Sequence, residues 1–199
     1  MMLGARTGAW ANSGAPLPYL RRVAYLRSDE KQYASFSVKD TGTLMCSVSF
    51  ILEKVYHYTG NWDHAIAGAY SSGLYFDGWK IVDIDGNVLW ESPVLGVEKT
   101  LSFINKSFNR ENEFIYLFSS ADNDTSGSAP YGYSELSILQ FRAGQIFNLI
   151  PVLDMNGRPC FYNEAPLDIP ADDSSRFFYN KGSGEFGWKE LDGTIVPPQ

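Results

Sequence analysis

The chain has 199 residues, a net charge of −7, 44% hydrophobic and 15% aromatic residues, and only 20% charged ones. This suits one large domain with a sizeable core, and an acidic chain with no basic run lacks the positive face that phosphate binding needs, so no nucleic-acid partner is expected. No apolar run approaches the ~20 residues of a membrane-spanning helix, so no membrane insertion is expected, and no charged head followed by an apolar core marks a signal peptide.

In chain order, residues 1–17 are rich in small and turn-forming residues (Gly4, Gly8, Gly14, Pro16) and keep no apolar period. They are read as a flexible or partner-docked arm. Trp10, in its middle, is either a docking anchor or incidental. From Pro18 the punctuation is that of a β domain spanning 18–192, with a C-terminal tail at 193–199. Strands are predicted at 22–27, 32–38, 45–53, 66–70, 78–84, 87–92, 99–104, 114–119, 135–142, 147–153, 159–163, 177–179 and 187–191. Most are rich in Val, Ile, Phe, Tyr or Trp and bounded by Gly, Asn, Asp or Ser. In the run from Met45 to Leu52, Cys46 shares its alternation phase with Val48, Phe50 and Leu52. It is read as a buried free thiol or as half of a disulfide across the sandwich. Cys46 and Cys160 match no metal or redox spacing. Beyond a short helical turn near 109–113, no long 3.6-residue period appears. The predicted fold is all-β, an antiparallel two-sheet β-sandwich or jelly roll.

Both ends of this domain resemble a known family. The opening is Leu17-Pro18-Tyr19-Leu20-Arg21-Arg22-Val23-Ala24-Tyr25-Leu26-Arg27-Ser28, with Gln32-Tyr33 after it. The ending runs from Phe147-Asn148-Leu149-Ile150-Pro151-Val152 through Met155-Asn156-Gly157-Arg158-Pro159-Cys160-Phe161-Tyr162-Asn163 to Phe177-Phe178-Tyr179-Asn180-Lys181-Gly182-Ser183-Gly184-Glu185-Phe186. Together they resemble the concanavalin A-like (laminin-G-like) jelly-roll domain of bacteriophage virion proteins and gut-bacterial surface proteins. Over 18–187 the middle agrees only in strand rhythm. Ala24 stands where the pattern often has Glu, Asp29-Glu30-Lys31 replaces a Gly-Thr loop, and residues 164–176 interrupt the last hairpin. These motifs mark strand ends and turns, so they speak to fold more than to activity.

Candidate chemistry is sparse. Sandwich glucanases of this superfamily carry a Glu-x-Asp-x-x-Glu strand. Asp83 and Asp85 are the nearest approach, but the second Glu is missing, and Asp85-Gly86-Asn87 reads as a hairpin turn. As a calcium loop the same stretch lacks the turn Gly and the closing Glu, having Val88 and Val94 there. Asp122 and Asp124, followed by Thr125 and Ser126, form a better oxygen-rich loop. The resemblance implies calcium as the one candidate cofactor there, against a plain solvated loop. His57 and His64 lack zinc spacing. Asn105-Lys106-Ser107 and Asn123-Asp124-Thr125 are read as chance glycosylation matches. Trp62 and Asp63 follow Gly60-Asn61, and Tyr131 and Tyr133 follow the polar loop at 122–128. These four form a candidate sugar-binding rim, with packing under a loop or at a subunit interface as the alternative. Trp79, Trp90, Phe103, Phe114, Tyr116 and Phe118 lie inside strand patterns and are expected in the core or on a strand face.

The resemblance implies a non-enzymatic bacteriophage virion structural protein, a tail, fibre or capsid-surface component. It would contact other virion proteins through its arm and host-surface glycans through a lectin-like sandwich. By analogy with phage projections, a homo-oligomer, a trimer, is expected. The alternative is a bacterial cell-surface carbohydrate-binding or adhesion domain, which would show a signal sequence or a longer chain. A glycan-cleaving enzyme is the third reading, and the missing acid pair counts against it.

Overall fold

The segment Leu44–Leu52 shows how the sheets arise. Leu44, Cys46, Val48, Phe50 and Leu52 are buried on one face, while Met45, Ser47, Ser49 and Ile51 take the other. This is the period-2 pattern of a strand with one face in a core. The computed structural model describes residues 17–38, 43–56, 64–69, 72–105, 114–121, 130–165 and 173–199. Its strands are β1 (Arg21–Arg22), β2 (Tyr25–Asp29), β3 (Ala34–Ser37), β4 (Leu44–Leu52), β5 (Ala65–Ala69), β6 (Ser72–Asp77), β7 (Lys80–Asp83), β8 (Val88–Glu91) and β9 (Glu98–Asn105). There follow β10 (Phe114–Leu117), β11 (Ser120–Ala121), β12 (Pro130–Tyr131), β13 (Glu135–Ala143), β14 (Phe147–Leu153), β15 (Pro159–Asn163), β16 (Phe177–Tyr179), β17 (Gly187–Lys189) and β18 (Ile195–Val196). A single 3₁₀ turn, Ser174–Arg176, is described.

All pairings between these strands are antiparallel, and they form two large sheets packed as a sandwich, with a separate β11–β12 ribbon. In the first sheet β13 pairs along one edge with β4, which pairs in turn with β9. Its other edge is shared: its first half takes β2 and its last residues take β14. The second sheet runs β3-β10-β5-β6-β7-β8. Phe36 ties the layers together, its ring 4.7 Å from Phe147, 5.4 Å from Phe141 and 5.5 Å from Phe178. Each fully buried ring of this kind stabilises the fold by about 1.5–3 kcal/mol. Cys46 and Cys160 are free, buried thiols, and burial pushes the Cys160 thiol up to about 12.

Three features depart from the expected strands. The strand expected from residue 78 is instead a hairpin: β6 precedes it, and Gly78-Trp79 is the two-residue turn between Asp77 and its partner Lys80. Gly78 sits at φ 61, the left-handed first position of such a turn, which glycine enters without steric cost. Trp79 is thereby lifted out of the sheet and is 64% exposed, which corrects the core or strand-face expectation for it. The strand expected over 114–119 stops at Leu117, because Phe118 takes a left-handed φ of 69 that no strand contains. Residues expected as a tail supply β18, and Gln199 exchanges two backbone bonds with Glu185.

Residues 31–33 and 180–184, near the two ends of the domain, meet in space. Lys181 N–H donates to the Tyr33 carbonyl at 2.9 Å and Ser183 N–H to the Lys31 carbonyl at 3.2 Å. Asn180 is the hub: its Oδ1 accepts from Tyr33 N at 3.0 Å and Gly182 N at 2.9 Å, and its Nδ2 donates to the Gly184 carbonyl at 2.7 Å. Gly182 is required by space, since a Cβ there would collide with the Lys31 carbonyl. Nearby, buried Asp154 accepts from Asn156 N, Arg158 N, Arg158 Nε and the Tyr179 hydroxyl, locking the β14–β15 turn onto β16. Burial alone would raise its carboxyl, but these donors hold it below the ordinary value.

Candidate functional site

One end of the sandwich gathers several loops. The β8–β9 connection reaches it through Gly96 N–H, bonded to the Leu52 carbonyl at 3.0 Å. Phe76 N–H donates to the His64 carbonyl at 3.0 Å, and Ala65 N–H to the Gly132 carbonyl at 3.3 Å. The β2–β3 turn arrives through Asp29, paired with Glu135.

Tyr56 is the node of this end. Its buried hydroxyl donates to Glu30 Oε1 at 2.5 Å and accepts from the Glu135 N–H at 2.7 Å. Lys54 Nζ reaches the same Glu30 oxygen at 2.6 Å. The His64 ring stacks on Tyr56 at 3.8 Å and 19°, and its Nδ1–H donates to the Tyr133 carbonyl at 2.5 Å. Tyr56 and His64, the described residues that flank positions 57–63 in the sequence, are thus stacked on each other. Arg27 spans Glu135 at 3.0 Å and Glu53 at 3.8 Å, and Ser137 Oγ donates to Glu53 at 2.9 Å.

Electrostatics make this node a post and not a reactive group. Burial, followed by the Glu30 bond, pushes the Tyr56 phenol far above its ordinary range, so it stays protonated and donating. Burial alone would raise the Glu30 carboxyl, but bonds from Lys54 and Tyr56 outweigh it and hold the group below its ordinary value. Glu30 pays for its place with strain, because its φ of 73 lies in the left-handed region. Glycine is the residue that adopts this φ freely.

Of the residues singled out in the sequence, Trp62, Asp63, Asp122, Asp124 and His57 lie outside the described residues. Tyr131 pairs through its backbone with Ser120. Tyr133 is half-buried, its ring edge-on to Tyr33 at 6.0 Å, while its carbonyl is the group that meets His64. Residues 64–65 and 132–133 are thus joined directly. Asp83 is consumed by its own turn: Oδ1 accepts from Asp85 N and Asn87 N, and Oδ2 from Asn87 Nδ2. Asn105 is fully buried and accepts from the Ser72 hydroxyl, a poor position for a glycan acceptor. Among the described residues no group of three His, Cys, Asp or Glu could hold a metal ion, and no helix is long and apolar enough to cross a membrane.

Sequence reasoning missed Trp79, although Asp77-Gly78 was a visible turn signal. It also missed the Glu30–Lys54–Tyr56 node, whose members are too far apart in the chain for any motif to join. A cleft of about 600 Å³ lies between residues 17–22 and 190–192. The bidentate pair of Arg21 with Glu190, at 2.7 and 3.0 Å, forms part of its wall. The chain matches no family model, no curated protein and no solved structure.

Proposed function

We propose that this chain is a non-enzymatic, lectin-like sandwich of a bacteriophage virion (tail, fibre or capsid surface) that binds host-surface glycans through its loop end. The observation that carries the binding reading is the junction of residues 64–65 with residues 132–133, through His64 to Tyr133 and Ala65 to Gly132. Trp62, Asp63, Tyr131 and Tyr133 lie close in sequence to that junction, and a sugar site needs such residue types: ring faces for C–H groups and oxygens for hydroxyls. The virion setting and the jelly-roll assignment rest on the resemblance of the two terminal blocks. A bacterial surface adhesion domain is the runner-up and would use the same end. A glycan array with the intact protein, Trp62→Ala and Tyr131→Ala tests the site. Reduced signal in both variants is expected, and unchanged signal in both removes it. Mass spectrometry of purified virions tests the setting, where absence of the chain overturns the phage reading.

A further inference from the structure

We propose that the cleft between residues 17–22 and 190–192 is the receptor for residues 1–16 of a second copy of this chain. Three exposed leucines, Leu17, Leu20 and Leu191, converge on this one cleft at 53%, 47% and 74% exposure, and Tyr19 lines it as well. Apolar side chains gathered in a concavity of about 600 Å³ mark a docking site, where the same residues scattered singly would not.

The walls are fixed before anything arrives. Leu20 N–H donates to the Leu153 carbonyl at 3.0 Å, Glu190 N–H to the Thr194 carbonyl at 2.7 Å, and the Trp188 indole N–H to Glu190 Oε1 at 3.0 Å. The bidentate Arg21–Glu190 pair then holds the two walls together, so little ordering is left for an incoming segment to impose.

The composition of residues 1–16 matches this cleft. Met1, Met2, Leu3 and Trp10 supply apolar side chains, and Arg6 is the only charged residue of the segment. Opposite charge stands at the rim. Exposed Asp192 accepts from the Thr194 N–H at 2.9 Å and forms no salt bridge among the described residues. One charge pair of this kind sets direction and register more than affinity. The sequence beside the cleft turns the segment away from its own chain. In Ala15-Pro16-Leu17-Pro18 each proline fixes its own φ and keeps the residue before it out of the helical region. Such a run resists the sharp reversal that would bring residues 1–14 back against Leu17, itself a wall of the cleft. It suits a segment that leaves one copy and enters another, and exchange between copies leaves no cleft unfilled.

Full-length chains carrying one new cysteine each test this, since Cys46 and Cys160 are buried. A Trp10→Cys chain mixed with a Leu191→Cys chain should form a mixed disulfide under mild oxidation. It should do so about tenfold faster than with a Met155→Cys chain, because docking raises the local concentration of the two thiols. Met155 is the control because it is also exposed, at 64%, on the β14–β15 turn. Light scattering should show an oligomer for the native chain. The Leu20→Asp, Leu191→Asp double variant should be monomeric with native far-UV circular dichroism, because both side chains lie on the surface. Equal cross-linking to Leu191→Cys and to Met155→Cys overturns the inference. A monomeric native chain whose Trp10→Cys, Leu191→Cys double variant closes a disulfide within itself also overturns it, and assigns the cleft to its own arm. An oligomer that survives the two aspartates places the contact elsewhere and overturns it too. None of these outcomes bears on glycan binding.

Discussion

The closing seam and the loop end lie side by side, separated only by the β2–β3 turn, yet they are held by different forces. At the seam, residues 31–33 and 180–185 are joined by two backbone bonds and by the side chains of Asn180 and Gln32, and every one of these bonds ends on a main-chain group. At the loop end, Glu30, Lys54, Tyr56 and His64 are joined by side chains, through ion pairing, hydrogen bonding and ring stacking. Backbone pairing tolerates many side chains but demands turn residues at set places. A side-chain node demands particular residues and leaves the backbone free to vary. The seam therefore depends on turn residues at set places, and the loop end on particular side chains, Glu30 foremost.

Gly182→Ala should break this comparison most severely. Its Cβ would drive against the Lys31 carbonyl, and the seam backbone would have to shift. A loss of about 2–3 kcal/mol is expected from such overpacking, read from urea or guanidinium midpoints. Native stability in this variant would mean the seam is not a fixed contact.

Tyr56→Phe probes the loop end with less force. It leaves the ring on His64 but removes the donor to Glu30 and the acceptor for Glu135 N–H. A cost of about 1–2 kcal/mol at neutral pH follows from two unmade bonds in a partly buried place. No change in the denaturation midpoint would show that water replaces the hydroxyl without penalty.

Glu30→Gly should have the smallest effect at neutral pH and the most particular one in acid. Glycine relieves the left-handed strain, about 1 kcal/mol, while losing a partly exposed ion pair and hydrogen bond of similar worth. The net change at pH 7 should stay within about 0.5 kcal/mol. The folded-state value of Glu30 lies below the ordinary 4.5. Its contribution is therefore fully present above 4.5 and is lost as pH falls through the depressed value, where the unfolded chain binds the extra proton. Thermal melts between pH 6 and about 3 should fall off less steeply for Glu30→Gly than for the native chain. Parallel acid limbs would remove Glu30 from the account.

Much of the fold was legible in the sequence, and the reason is local. Strands such as β4, β13, β14 and β15 combine a clear apolar pattern with Gly or Asn punctuation at their ends, so propensity and environment agree. The failures occurred where one residue had two readings. Trp79 looks like strand material, yet the glycine before it makes a hairpin corner once β6 is recognised. Phe118 looks like a strand end, yet the chain turns there to begin the β11–β12 ribbon.

What the sequence determined by itself is the class of the fold and the position of most turns, because alternation and turn chemistry act between neighbours a few residues apart. Only the tertiary structure decided which loops share an end, that Tyr56 and His64 stack, that Glu30 is clamped across to Lys54, and that Trp79 faces water. Those outcomes depend on the register in which distant strands pair, because that register sets which of the connections between strands come together.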